Sequence, residues 1–154
     1  MAPPQENDLV VSGVAARLLS RFDEHRIERA LAPLVGKRLR AATRAGTLHI
    51  FTFGDERKVP VRFPRPGGPK ERVVAEYAVH VQCAWQMSVA DAVHIGNVVE
   101  RVKGDNEGGL RLELAGELAL ELVPGQREGE YWRFLRPGTN ERHFVVSDAG
   151  IYLD

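Results

Sequence analysis

A single cysteine, Cys83, leaves this chain without an internal disulfide framework. No stretch approaches the roughly 18 consecutive apolar residues that a membrane helix needs. An excess of charge of one sign is missing as well: 21 Lys plus Arg stand against 21 Asp plus Glu. The balance supplies no global field for a nucleic-acid backbone or an anionic membrane, so neither is expected as a partner. The basic group Lys37, Arg38, Arg40 and Arg44 fits a solvated strand edge. Met1 to Asn7 lacks the basic and apolar regions of a secretory signal and reads as a polar, disordered lead-in. A cytoplasmic location is the expectation that follows.

Catalytic signatures are absent too. There is no Gly-x-Ser-x-Gly elbow, and no paired acids sit where their pKa values would be split apart. The run Pro64 to Lys70 looks like a phosphate loop but lacks the Gly-Lys-Ser/Thr ending. His25, His49, His94 and His143 are scattered without ligand spacing. His80 and Cys83 would point to opposite faces of a strand and could not share one ion. No catalytic residue, cofactor or metal site is therefore expected, and Cys83, set in an apolar row, reads as an inert core thiol.

What the chain does have is a core. Apolar residues make up 44% of 154 positions, enough for one domain spanning 1–154. Val11, Val14, Leu18 and Phe22 share one face of a helix, and Ile27, Leu31 and Leu34 give a second stripe capped by Asp23. Residues 9–34 are thus expected to be helical, with Pro33 and Gly36 closing the segment. From Gly36 the period changes to two. Leu48, Ile50 and Thr52 alternate with His49 and Phe51 before a turn expected at Gly54-Asp55. The longest strand is expected from Val73 to Met87, with Tyr77, Val79, Val81, Cys83, Trp85 and Met87 on one face.

The halves resemble each other. Leu48 to Asp55 aligns without a gap on Leu110 to Glu117, Gly36 matches Gly96, and Glu76-Tyr77 matches Glu130-Tyr131. A duplicated meander follows, with a first β half at 36–87 and a second at 96–154. The expected fold is α+β, mainly antiparallel sheet, with the helical start packed on one side. The halves would stack face to face or share a curved sheet.

Candidate binding residues come from two places. Glu76, His80, Gln82 and Gln86 would project together from the long strand, where a His near a carboxylate can anchor a ligand. The plain alternative is a sheet face that is polar because it meets water. In Tyr131-Trp-Arg-Phe-Leu-Arg136, Trp132 and Phe134 belong to the core, while Arg133 and Arg136 are free to meet a partner or a carboxylate.

The segments Glu76 to Trp85, Gly109 to Leu114 and Tyr131 to Gly138, with His143 to Val146, resemble a family of small uncharacterised proteins from actinobacteria. The resemblance covers about Val35 to Val146 and implies no established activity. Members of that family carry a longer polar segment after the His-Val-Gln-Cys strand, where this chain has only Met87 to Ile95. A helix followed by short meanders with Gly-Asp turns also resembles, at the level of architecture, immunity-type proteins of bacterial toxin systems. The function expected is a non-enzymatic binding or immunity-like module with a protein partner. The alternatives are a small enzyme or ligand-binding domain using Glu76, His80 and Gln82, and a homodimer joined through that strand face.

Overall fold

The structure is a computed structural model that describes residues 22–87 and 95–154. Helix α1 runs Glu24–Leu31 and passes into a 3-10 turn at Ala32–Leu34. Asp23 starts it: its side chain accepts from the His25 and Arg26 backbone N–H groups, which have no partner inside the helix. Ile27, Leu31 and Leu34 are fully buried. The expected helix at Leu9 to Phe22 lies outside the described residues except for Phe22.

Ten strands follow among the described residues: β1 Leu39–Ala45, β2 Leu48–Pro60, β3 Glu71–Val81, β4 Ala84–Met87, β5 Val99–Gly104, β6 Leu110–Leu114, β7 Leu118–Val123, β8 Glu130–Leu135, β9 Phe144–Ser147 and β10 Gly150–Leu153. They form two antiparallel sheets. One has the order β1-β2-β3-β8-β9-β10 and the other β4-β7-β6-β5. The mainly antiparallel α+β class therefore holds, with two stacked sheets as the layers.

Alternation sets the core. Phe51, Phe53, Val79, Val81, Trp132, Phe134, Phe144 and Val146 come from the larger sheet. Leu110, Leu112, Leu114, Leu118, Leu120 and Leu122 face them from the smaller one, in the same buried cluster. Trp132 is fully buried and its indole Nε1 donates to the Gly108 carbonyl at 2.8 Å. That bond satisfies the one polar atom of the largest side chain in the core. Helix α1 packs beside β5, where a Cβ on Gly104 would meet the Glu24 carbonyl and Ile27 at 2.9 Å.

Two sequence expectations are corrected. The Val73–Met87 strand is two strands in different sheets, because the chain bends at Gln82-Cys83. Both backbone N–H groups at the bend donate to the Tyr131 carbonyl, at 2.9 and 3.1 Å. Gly54-Asp55 is a bulge inside β2, not a turn: Phe53 faces Tyr77 and Glu56 faces Ala75, so two residues oppose Glu76 alone. Gly54 takes φ 84°, the left-handed region such a bulge requires.

Candidate functional site

The bend takes apart the polar face read from the sequence. Gln86 moves into the smaller sheet, where it meets Glu121. Gln82 sits at the corner and accepts from Arg127 through Oε1 at 3.2 Å. Glu76 is held by the bulge: one carboxylate oxygen accepts from the Asp55 N–H at 3.2 Å and the other from Lys37 Nζ at 2.9 Å. The Lys37 hydrogen bond, with the Asp55 N–H, keeps the Glu76 carboxyl below the usual carboxylate range. Glu76 is thus a brace for the strand, not a free acid.

His80 stays on the outer face of the larger sheet, and strand pairing gives it neighbours that no local pattern announces. The register places Ile50, His80, Arg133, Val145 and Tyr152 in one row across β2, β3, β8, β9 and β10. Arg133 is the centre of the row. Its Nε lies 3.1 and 3.0 Å from the two Glu130 oxygens, its Nη2 2.5 Å from Glu130 Oε1, and its Nη1 3.1 Å from Asp154 Oδ2. The same Nη1 lies 2.8 Å from His143 Nδ1. A guanidinium donates only, so that ring nitrogen is the acceptor. The Arg133 and Glu130 side chains are 20% and 15% exposed, shielded enough for the pair to fix geometry.

This arrangement controls charge. The Glu130 hydrogen bond raises the Arg133 pKa still further, so it remains a permanent cation. His80 is pushed below the ordinary imidazole value, first by burial and then by Arg133 and His143. Among the described residues no carboxylate hydrogen-bonds its ring. A neutral imidazole without an orienting acid can accept or donate one hydrogen bond to an incoming group, but it is a poor general base.

Arg136 lies apart from this row. It pairs with Glu141 at 3.0 Å and stands 5.6 Å from the Tyr77 ring centroid, while its Nε is buried without a hydrogen-bond partner among the described residues. Beside it lies a cleft of about 350 Å³, lined by Ala30, Pro33, Tyr77, Phe134 and Glu141 among others. Of the six candidate residues read from the sequence, His80 and Arg133 are direct cross-strand neighbours, while Arg136 acts on Glu76 through its charge. Glu130, His143 and Asp154 join Arg133, three groups the sequence reading did not single out. Only the Glu130–Arg133 spacing was visible locally; His143 and Asp154 arrive through β9 and β10.

Cys83 is buried in the core, and burial pushes its thiol up to about 11. No cluster of three or more His, Cys, Asp or Glu suited to a metal occurs among the described residues. No helix among them is long and apolar enough to cross a membrane. Comparison with protein-family models, curated proteins and solved structures finds no match.

Proposed function

We propose that the chain is a non-enzymatic, immunity-like interaction protein that binds a protein partner through the outer face of the larger sheet. The observation that carries this reading is internal pairing. Glu76, Gln82, Arg133 and Arg136 are each held by a charged or polar neighbour, and among the described residues no carboxylate hydrogen-bonds His80. Such groups offer shape and fixed charge more than reactivity. Around them the face carries an arginine, two imidazoles and Tyr152, which is 41% exposed on the edge strand β10. Arginine and tyrosine on a rigid support are the residue types that dominate binding energy at protein interfaces. The reading of a small enzyme built on Glu76, His80 and Gln82 has less support, since the bend takes Gln82 out of β3 and Glu76 is held by Lys37 and the Asp55 N–H.

The test is capture of partners from a lysate of the protein's own source at physiological salt, followed by reconstitution with the purified partner. A stoichiometric complex that His80→Ala or Arg133→Ala weakens supports the reading. A complex indifferent to both substitutions counts against this face.

We infer further that the two halves derive from one duplicated unit, and that the actinobacterial resemblance belongs to the whole pair. Support comes from a pseudo-twofold set of bonds around the Arg38–Val98 bridge. Gly36 N–H donates to the Val99 carbonyl at 2.8 Å and Gly96 N–H to the Leu39 carbonyl at 2.6 Å. Val99 N–H donates to Lys37 and Leu39 N–H to Asn97, at 2.8 and 2.9 Å. Register shifts follow both Leu39 and Val99. In this reading the halves exchange strands, β4 joining the second half's sheet and β8 pairing with β3.

A further inference from the structure

We propose that the cleft between helix α1 and the larger sheet binds a small planar carboxylate, an aromatic ring system carrying one acid group. This goes beyond the protein-binding reading and stands without it, because the cleft opens on the core-facing side of the sheet, opposite His80 and Arg133.

Strand register builds one wall. Phe51, Val79, Phe134, Phe144 and Leu153 form a row across β2, β3, β8, β9 and β10. Burial falls along it, from Val79 at 0% exposure to Leu153 at 53%. Tyr77 widens the wall, with its ring 5.5 Å from that of Phe134 and inclined to it by 20°. The facing wall is α1 and its 3-10 turn. These commit Ile27, Leu31 and Leu34 to the core and leave Ala30 and Pro33 lining the cleft. A methyl group and a pyrrolidine ring do not fill the gap, so about 350 Å³ stays open.

The size selects a small molecule. Small-molecule sites run from about 300 to 1,000 Å³ and are lined mostly by apolar and aromatic side chains with a few polar groups. This cleft equals roughly a dozen waters in volume, room for one or two rings and an acid group. An extended peptide would pair its backbone with a free strand edge. Of the strands lining the cleft only β10 is an edge, and it has four residues.

The charge selects an acid. Arg136, Arg142 and Glu141 are the ionised side chains that line the cleft, a net +1. Glu141 takes Nη1 of Arg136 at 3.0 Å. Among the described residues Arg136 Nη2 has no hydrogen-bond partner, and Arg142 makes no side-chain hydrogen bond or ion pair. Arg136 stands at the end of the aromatic wall, 5.6 Å from the Tyr77 ring centroid. A ring lying against Tyr77 and Phe134 therefore carries its carboxylate to guanidinium groups with donors to spare. One carboxylate brings the net charge to zero. A neutral ligand leaves the donors unmatched, and a phosphate monoester brings about two charges.

The experiment is calorimetric titration of naphthoate and of phenylpropionate into the full chain, with naphthamide as the uncharged control. Naphthoate is expected to bind once per chain with Kd of about 0.1 mM or tighter, as befits a ligand of about a dozen non-hydrogen atoms. Naphthamide and the Arg142→Gln protein should each show affinity reduced about tenfold. Ala30→Leu fills the cleft while keeping a good helix former, and should abolish binding. Arg133→Ala, on the outer face, should leave the titration unchanged, which separates this site from the partner surface. Thermal melting checks that each variant is folded, and Arg142→Gln serves if Ala30→Leu is not. Absence of binding by both acids at about 2 mM overturns the proposal. Equal affinity for naphthamide overturns it too, as does undiminished binding by folded Ala30→Leu or Arg142→Gln.

Discussion

Gly54 and Glu76 compete for one space: a Cβ on Gly54 would lie 2.4 Å from Glu76 Oε1 and 2.8 Å from the Glu76 Cβ. The bulge, the brace on the Asp55 N–H and the Lys37 ion pair therefore all depend on a residue without a side chain. Gly54→Ala must keep φ 84° and displace the carboxylate. The left-handed conformation alone costs about 1–2 kcal/mol for an alanine, and the lost brace adds to it. Urea unfolding should show a loss of about 2–4 kcal/mol.

His80 gives the protein a pH dependence of known sign. Its folded pKa lies below the ordinary value of about 6.5, so the unfolded chain binds the proton more readily. Its contribution to stability is full above that pH and is lost as pH falls from there through the folded value. His80→Asn should flatten the stability curve across this window. Denaturant midpoints measured from pH 8 to pH 5 check it, and equal slopes for both proteins would contradict the assignment.

Gly36 and Gly96 test the duplication. They take φ 87° and 93°, and among the described residues neither would bring a Cβ within 4 Å of another group. Alanine at either position should cost only the left-handed strain, about 1–2 kcal/mol, and by equal amounts. Unequal losses in parallel unfolding curves would mean that the two sites are not equivalent.

Cys83 should resist alkylation while the protein is folded. With its thiol at about 11, roughly one molecule in a thousand carries a thiolate at pH 8. Iodoacetamide labelling followed by mass spectrometry should show little reaction in buffer and full reaction in denaturant. Rapid labelling in buffer would place the thiol outside the core.

Alternation made most strands legible, and the Asp23 cap and the buried Trp132 and Phe134 could be read from their neighbours in the chain. The bend at Gln82-Cys83 could not. Period-two alternation continues through it, because a strand that changes sheets keeps burying every second residue. Gly54 is ambiguous in the sequence for a related reason: a left-handed glycine before a polar residue serves a turn and a bulge equally well. His143 and Asp154 reach Arg133 through register across three strands, which no local spacing encodes.

The interaction reading is tested most directly by calorimetric titration of the captured and purified partner into the intact protein. The account predicts one partner per chain, with affinity reduced at least about tenfold, or about 1.4 kcal/mol, by Arg133→Ala and by Tyr152→Ala. Both substitutions should leave the partner itself unaffected. Failure to capture any stoichiometric partner, or a titration identical for the three proteins, would contradict it.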